Sequence, residues 1–349
     1  MVKQRVAVIL GGRSGEHDVS VVSARSVISA LDPERWEAVP FAISRTGNWL
    51  TVDETRSALH AGDRRFGSGG LPLLLSPALE DLSRCDVVFP LVHGTFGEDG
   101  CLQGLLEMAG LPYAGCGVAA SAIGMDKALM KAFFREAGIR QPRYAVVRAA
   151  EVAEDEHRAF RFVEQTIGYP CFVKPANGGS SVGVTKVRSR EDVPRAFAAA
   201  FAYDEKAVVE QAITGQEVEC SILGNDTPEA SVTGEIVPDR EFYDFESKYA
   251  SSSRTELYIP ARIPEPVAAR VRELALRMFR VMGCEGYARV DFFVTEDGEV
   301  LANEVNTIPG FTSISMYPKL WEASGLRYPA LLTRILELGL ERHARRERR

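Results

Sequence analysis

The sequence predicts an α/β fold whose N-terminal part is a doubly wound parallel sheet. The apolar run Val2–Leu10 ends in Gly11-Gly12 and is followed by a helical pattern. Two more apolar runs, Val39–Ser44 and Asp86–Val92, read as strands, and the second opens into another glycine-rich loop and helix. Strands that alternate with helices are typical of parallel sheets, which bind ligands at the carboxyl ends of their strands.

Composition and charge limit the classes of protein to which this chain can belong. The chain has 349 residues and 46% hydrophobic content, which fits two or three packed domains. Its net charge of −7 argues against a nucleic-acid partner. Six scattered cysteines without a CxxC pair are typical of reduced thiols, so we expect a cytoplasmic protein with neither zinc nor disulfides. No apolar run approaches the length of about 18 residues that would indicate a membrane span.

Two N-terminal loops carry an acid and a histidine where a ligand would meet the sheet. Glu16 and His17 follow the first strand, and His93 and Glu98 follow the strand Asp86–Val92. Alternatively, these side chains have no ligand: the acids are simply exposed to solvent, and each histidine is only hydrogen-bonded in place. The glycines do not form GxGxxG, so a dinucleotide site is poorly supported. A small-molecule site at this sheet edge is the sharper hypothesis.

The next region combines lysines with a glycine- and serine-rich loop. Lys127 lies near the start of the predicted helix Asp126–Ala137, where a cation opposes the helix dipole and needs an anionic partner or solvent. Lys174 lies in the predicted strand Cys171–Pro175, and Gly178–Gly183 follows. Backbone N–H groups and hydroxyls of such a loop can bind an oxyanion, although an ordinary glycine-rich hairpin would have the same composition. It is not a Walker loop, because GK[ST] is missing.

Further elements follow in order. Glu217 and Glu219 share one face of a strictly alternating strand. The segment 239–253 has the length of a lid or a disordered loop, and its four aromatic residues favour an ordered lid. We assign no function to the basic end 342–349, which reads as a frayed helix. The remaining predicted strands and helices are Tyr144–Val147, His157–Thr166, Val184–Val187, Ala207–Gln211, Gln216–Leu223 and Pro264–Met282.

A predicted hairpin near the C-terminus places four polar side chains together. With a two-residue turn at Asp297-Gly298, Asp291 lies opposite Glu304 and Arg289 lies opposite Asn306. Period-2 alternation puts these four on one face. The opposite face then reads as a buried apolar layer of Val290, Phe292, Val294, Leu301 and Val305.

The two carboxylates of this hairpin need a cation. Directly opposite side chains on paired strands lie roughly 5 Å apart, so Asp291 and Glu304 repel each other. Arg289 as counter-ion on a solvated face is one interpretation. A hard metal cation is the other, because Asp, Glu and Asn offer only oxygen ligands.

The set of motifs resembles the ATP-grasp enzymes and, within them, the D-alanine–D-alanine ligase family. The resemblance runs from residue 5 to about 338. It rests on Lys127, the Lys174-Pro and Gly-Ser-Ser motif, Glu210, Arg289-x-Asp291, Glu304-x-Asn306 and Pro309-Gly310, and on Glu16-His17-Asp18-Val19-Ser20, His93-Gly94 and Phe242–Tyr249.

The resemblance implies a three-domain ATP-grasp architecture with two α+β lobes that enclose ATP. We expect an N-terminal domain over 1–117, a central lobe over 118–213 and a C-terminal lobe over 214–349. It also implies ATP-dependent joining of two D-alanines through an acylphosphate, for peptidoglycan synthesis. Two Mg²⁺ ions, which Mn²⁺ could replace, and a homodimer are expected as well.

The same resemblance implies roles for individual residues. Glu16 would bind the ammonium of the first D-alanine with Ser180 and Tyr249 as its hydrogen-bonded partners, and Arg289 and the backbone near Gly310 would contact the oxyanion. His93, Ser315 and Met316 would bind substrate. ATP would contact Lys127, Lys174, Ser181, Glu210, Glu217 and Lys248. Asp291, Glu304 and Asn306 would hold the metal ions, with Glu304 bridging.

Three other functions stay open at this point. A ligase that takes D-lactate as second substrate would share most of these motifs, although Lys248-Tyr249 favours the dipeptide. A dinucleotide-dependent oxidoreductase is suggested only by the first strand and its glycines. A non-catalytic nucleotide-binding module would need neither Glu304 nor a lid tyrosine.

Overall fold

The N-terminal part is a parallel sheet, as predicted. The computed structural model describes residues 3–67, 69–238, 255–312 and 314–348. Strands β1 (Gln4–Gly11), β2 (Trp36–Ile43) and β3 (Val87–Pro90) form a three-stranded sheet in the order β2-β1-β3. Because β1 and β3 are neighbours, the loops after Gly11 and Pro90 open at the same sheet edge.

Helices cover both faces of this sheet. They are α1 (His17–Ala30), α2 (Val52–His60), α3 (Ala78–Ser83) and α4 (Cys101–Met108). One apolar cluster joins α1 to β1 and β3 and continues into the C-terminal part of the chain. A second packs α3 and α4 on the opposite face. The strands are continuous apolar runs because both of their faces are buried.

A second sheet is antiparallel and lies in the middle of the chain. Its strands are β4 (Tyr144–Arg148), β5 (Cys171–Pro175), β6 (Thr185–Val187) and β7 (Lys206–Gln211), in the order β4-β7-β5-β6. Helices α7 (Ala149–Glu154), α8 (Glu156–Thr166) and α9 (Val193–Phe201) complete this lobe. Its apolar core contains Phe160 and Phe197, which stack on each other.

A third, five-stranded antiparallel sheet carries the predicted hairpin. Its order is β10-β9-β8-β11-β12, with the hairpin strands at one edge. The strands are β8 (Gln216–Leu223), β9 (Glu229–Val237), β10 (Glu256–Tyr258), β11 (Tyr287–Val294) and β12 (Val300–Asn306), and the helices are α10 (Glu265–Val281), α11 (Met316–Ala323) and α12 (Tyr328–Glu347). None of the described helices is long and apolar enough to cross a membrane.

Two helices that lie in sequence between the first and second sheets pack against the third sheet. Helix α5 (Val118–Met125) and helix α6 (Lys127–Glu136) contribute to the apolar core beneath β8, β11 and β12. The predicted division at residues 117 and 213 stays a prediction, although the central antiparallel sheet falls wholly within 118–213.

The interpretation of residues 342–349 as a frayed end is wrong for the part that the structure describes. Helix α12 extends to Glu347, and Arg342 is buried. The guanidinium of Arg342 donates hydrogen bonds to the carbonyls of Gly115 and Tyr113 and lies over the Tyr113 ring. These contacts tie the end of the chain to the N-terminal domain.

The hairpin has the predicted residue pairs but a different turn. Asp291 pairs with Glu304 and Arg289 pairs with Asn306. The turn is longer than predicted, because Thr295 and Glu299 close it and leave three residues between them. A bulge at Asn303 restores the register beyond it. Leu301 therefore pairs with Phe293 and lies outside the apolar cluster to which we assigned it.

Candidate active site

Two adjoining pockets lie where the three sheets meet. The N-terminal pocket is lined by Glu16, His93, Glu98 and the segment after β12. The central pocket lies between β5 and β7 on one side and β8 and β11 on the other. The residues that line both pockets are Lys127, Gly178, Gly179, Ser180, Glu219, Arg289 and Glu304.

The structure brings the predicted site residues to these two pockets. The N-terminal pocket contains Glu16, His93, Ser180, Asn306, Gly310, Ser315 and Met316. The central pocket contains Lys174, Ser181, Glu210, Glu217 and Asp291. Lys127, Arg289 and Glu304 line the wall between the two pockets. The predicted residues Lys248 and Tyr249 and the predicted lid segment lie outside the described residues.

Glu16 is held at the floor of the N-terminal pocket. It precedes α1, where the helix dipole favours a carboxylate. Its side chain accepts a hydrogen bond from the Ser180 hydroxyl. A Cβ at Gly94 or Gly179 would come within 2.9 or 2.5 Å of Glu16 Oε2, so a larger residue at either position would shift the carboxylate. The predicted Glu16–Ser180 contact therefore joins the N-terminal domain to the central loop.

His93 connects β3 to the segment that follows the hairpin. Its Nδ1 lies 3.0 Å from the Ile308 carbonyl, which can only accept, so this nitrogen carries the proton. Its Nε2 then accepts from the Ser23 hydroxyl at 3.0 Å. Burial lowers the pKa of His93, although the Glu16 carboxylate opposes the change. A neutral His93 thus orders the wall of the N-terminal pocket.

Ser315 and Met316 form the far wall of the N-terminal pocket. Ser315 directly precedes α11, and its hydroxyl accepts from the backbone N–H of Thr312 at 3.0 Å. The first N–H groups of a helix have no partner within the helix and favour an anion. Gly310 lies against Ser315, since a Cβ at Gly310 would be 2.7 Å from Ser315 Oγ. The arrangement suits a carboxylate.

The glycine- and serine-rich loop has an uncommon backbone. Ser180 and Ser181 both have positive φ, at +49° and +59°. Non-glycine residues rarely adopt this conformation, and such strain is concentrated at functional sites. The Lys127 ammonium donates to the Gly178 carbonyl in the same loop. The loop and the predicted phosphate lysine are therefore in contact.

Two lysines surround Glu210 in the central pocket. Lys131 contacts one of its oxygens, and the Lys174 ammonium lies 2.5 Å from the other. Burial favours the neutral acid, but the charges of Lys131 and Lys174 outweigh burial and lower the pKa of Glu210 to about 2. The cluster carries two formal positive charges and one negative, which favours an anionic ligand.

The hairpin carries the opposite arrangement. The Arg289 guanidinium donates to both oxygens of Asp291, at 2.8 Å each. Its Nε also lies 3.0 Å from Glu219 Oε2. The Asn306 amide donates to Asp291 at 2.9 Å. Arg289 is therefore the counter-ion of Asp291, as one of the two interpretations predicted, but Asp291 is buried and not on a solvated face.

The hairpin offers the oxygen ligands that Mg²⁺ prefers. Asp291, Glu304 and Asn306 lie in adjacent register positions, and the Arg289 cation already occupies the Asp291 carboxylate. In the described part of the chain, no three His, Cys, Asp or Glu side chains are gathered as a ready metal site. The donor types suit a magnesium ion, and in the structure the Arg289 guanidinium holds both Asp291 oxygens.

The sequence analysis assigned no role to three charged residues of this site, of which it named Glu98 and Glu219 but not Lys131. Lys131 lies one turn after Lys127, so helical spacing could have shown that both lysines share a face. Glu219 was placed on the face of Glu217, but its partner strand was unknown. Glu98 accepts hydrogen bonds from the backbone N–H groups of Gly94 and Ile308. Burial and then the nearby Glu16 raise the pKa of Glu98 to about 8.

Comparison with protein families gives two matches that cover most of the chain. The family described as D-ala D-ala ligase N-terminus matches residues 5–116, and D-ala D-ala ligase C-terminus matches residues 133–337. A D-alanine–D-alanine ligase from Heliobacterium modesticaldum is 47% identical over 100% of this chain and 98% of the relative. One from Geobacillus thermodenitrificans is 45% identical over 99% and 98%.

Solved structures agree with these relatives. The D-alanine–D-alanine ligase from Coxiella burnetii has a TM-score of 0.83 and 35% identity, and the match covers 99% of this chain and 96% of that one. The D-Ala:D-Ser ligase VanG from Enterococcus faecalis has a TM-score of 0.82 and 34% identity, with 97% and 100% covered.

The fold and the paired pockets define an ATP-dependent ligase of the ATP-grasp class. Three sheets meet at one cleft, and a lysine-rich pocket and a carboxylate hairpin face each other across it. The chain belongs to the D-alanine–D-alanine ligase family.

Proposed function

We propose that this ligase joins two molecules of D-alanine in two steps across the wall between its pockets. ATP in the central pocket transfers its γ-phosphoryl group to the carboxylate of the first D-alanine, which gives an acylphosphate and ADP. The amine of the second D-alanine then forms a bond to the carbonyl carbon, loses a proton and expels phosphate. Lys127, Arg289 and Glu304 line both pockets, and this shared wall is the observation that most directly supports a reaction between ATP in one pocket and D-alanine in the other.

The nucleotide is assigned to the central pocket. Lys127 and Lys174 neutralise phosphate charge, and the positive-φ loop presents Ser181 and its backbone N–H groups. Glu210 is held as a carboxylate by its two lysines and is assigned to the adenine. Glu217, on β8 at the side of this pocket, is assigned to the ribose.

The two D-alanines are assigned to the N-terminal pocket. Glu16, positioned by Ser180, pairs with the ammonium of the first D-alanine. Ser315 and the Met316 backbone at the start of α11 bind the carboxylate of the second. His93 orders the segment that contains Gly310. Tyr249, as a second hydrogen-bonded partner of Glu16, and Lys248, as a phosphate contact, stay predictions.

Arg289 and the metal ligands are assigned to the reacting centre. Asp291, Glu304 and Asn306 would hold Mg²⁺, which offsets phosphate charge when bound. Arg289 and the backbone near Gly310 stabilise the oxyanion that develops at the reacting carbonyl. Donors that are already oriented contribute most, because they need no reorganisation during the reaction.

We also propose a homodimer in the cytoplasm that supplies peptidoglycan precursors. Leu74 and Leu75 are 88% and 70% exposed, and exposed apolar groups of this kind are common at subunit interfaces. All six cysteines are free thiols in the structure, as in proteins of a reducing compartment.

Product analysis tests the proposed reaction. Purified protein with ATP, Mg²⁺ and D-alanine should release phosphate and form D-alanyl-D-alanine, identified by mass spectrometry. Competition near neutral pH between D-alanine, D-lactate and D-serine measures the choice of second substrate, since a D-Ala:D-Ser ligase is among the similar structures. Absence of phosphate release with D-alanine would overturn the proposal.

A further inference from the structure

Three carboxylates lie in a row across three neighbouring strands. Glu219 on β8 pairs with Asp291 on β11, and Asp291 pairs with Glu304 on β12. Directly opposite acids repel each other at these spacings. Glu219 is 5% exposed and lines both pockets, as Glu304 does. The family resemblance assigns no role to Glu219.

Arg289 is shared between two of these acids. Its Nε lies 2.8 Å from Asp291 Oδ1 and 3.0 Å from Glu219 Oε2. The Nε atom carries a single hydrogen, so it can donate a full hydrogen bond to only one carboxylate at a time. A small movement of the guanidinium is therefore enough to favour Glu219 over Asp291.

Arg289 competes with a metal for the Asp291 carboxylate. Both of its oxygens accept from Arg289, and Oδ2 also accepts from Asn306. A cation that binds Asp291 through the lone pairs that Arg289 uses must therefore displace the guanidinium. A buried guanidinium without a carboxylate partner is strongly unfavourable. Glu219 is already in contact with Arg289 and can keep it paired.

We propose that Glu219 is a positioning residue that receives Arg289 when a divalent cation takes Asp291. The inference rests on metal binding by the hairpin, as proposed above. Transfer to Glu219 keeps the guanidinium at the wall between the pockets, next to the reacting groups. Metal entry and the placement of Arg289 are then one coupled event.

Mn²⁺ affinity of the nucleotide-free protein, measured by electron paramagnetic resonance, tests the coupling. We expect Glu219→Gln to weaken Mn²⁺ binding about tenfold, because Arg289 then stays on Asp291. Arg289→Met should tighten binding about tenfold by removing the competing cation. In Arg289→Met protein, adding Glu219→Gln should change the affinity by less than about twofold, since no guanidinium remains to be received.

Matched variants separate this role from simple loss of a buried ion pair. Glu235→Gln removes the buried partner of Arg262 on the neighbouring strand β9 and should leave Mn²⁺ affinity unchanged. Glu219→Asp keeps the charge and should restore part of the affinity.

A tenfold effect of Glu219→Gln that persists in the Arg289→Met background would overturn the proposal and make Glu219 a metal ligand. Unchanged Mn²⁺ affinity in both Glu219 variants would overturn it as well. If wild-type protein bound no Mn²⁺ with or without ATP, the proposed metal site itself would fail.

Discussion

Two buried ion clusters on opposite sides of the cleft have opposite excess charge. In the central pocket two lysines surround Glu210, whereas on the hairpin Arg289 serves Asp291 and Glu219 beside Glu304. By the contacts named here, the lysine cluster has one more positive than negative charge, and the hairpin cluster has two more negative than positive charges. Such an excess favours an anion beside the lysines and a cation beside the carboxylates.

The comparison also shows how the ligands would neutralise each other. A nucleotide brings negative charge to Lys174 and Lys127, and a divalent cation brings positive charge to Asp291 and Glu304. Both clusters line the central pocket. Binding of either ligand therefore reduces the electrostatic penalty for binding the other.

Removing the single carboxylate of the lysine cluster should have the largest effect on stability. Glu210→Gln removes the carboxylate that the buried ammonium groups of Lys131 and Lys174 both contact, and we expect a loss of about 3–5 kcal/mol in the free energy of unfolding. Urea denaturation measures it. Lys131→Met should be milder, because Glu210 keeps Lys174. Equal losses in the two variants would show that the excess positive charge is not what matters.

Removing one charge of the carboxylate cluster should impair the reaction more than the fold. Glu304→Gln keeps the size and hydrogen-bonding capacity of the side chain, and we expect phosphate release to fall at least about 100-fold, the effect of losing an electrostatic stabiliser. The melting temperature should stay close to that of wild type. Glu299→Gln, at the turn of the same hairpin, is the control. Near-normal turnover of Glu304→Gln would mean that the hairpin is only structural.

The pKa values of Glu98 and Glu210 are shifted in opposite directions, so their contributions to stability should be lost at opposite ends of the pH range. The pKa of Glu98 is raised from 4.5 to about 8, so the folded state holds a proton that the unfolded chain releases. The contribution of Glu98 to stability is therefore lost as the pH rises from about 4.5 to 8. The pKa of Glu210 is lowered to about 2, so its contribution is lost as the pH falls from 4.5 toward 2.

Unfolding free energies of wild type and Glu98→Gln at pH 5, 6.5 and 8 check the first direction. The wild-type protein should lose stability relative to the variant at each step upward. Parallel pH curves for the two proteins would show that Glu98 ionises in its usual range.

The hairpin shows how far the sequence could predict the site. Counting back from Asp297-Gly298 gave the correct opposition of Asp291 and Glu304, although the turn has three residues. The bulge at Asn303 compensates for the longer turn, and nothing in the local sequence marks it. Leu301 was misplaced for the same reason, since it lies on the turn side of the bulge.

The partners of charged residues could not be predicted from local sequence pattern when those partners lie far along the chain. Alternation placed Glu219 on a face, but its neighbours Asp291 and Arg289 follow only from the pairing of β8 with β11. Lys131 lies on the buried side of an amphipathic helix, and its partner Glu210 comes from a strand of another sheet. Periodicity gives the direction of a side chain, whereas the partner depends on tertiary structure.

The smallest expected effect concerns the loop next to the lysine cluster. Ser181 has φ of +59°, a conformation that glycine adopts without strain. Ser181→Gly should therefore change the free energy of unfolding by no more than about 1 kcal/mol, because relief of strain and the greater freedom of the unfolded chain oppose each other.

If the excess positive charge and the backbone N–H groups bind the nucleotide, the KM for ATP of the Ser181→Gly variant should change less than about threefold, within the worth of one ordinary hydrogen bond. A large rise in that KM, with unchanged KM for D-alanine, would assign the binding to the Ser181 hydroxyl instead. Ser180→Gly is the contrasting variant, since its hydroxyl contacts Glu16 in the other pocket, and it should raise the KM for D-alanine rather than for ATP.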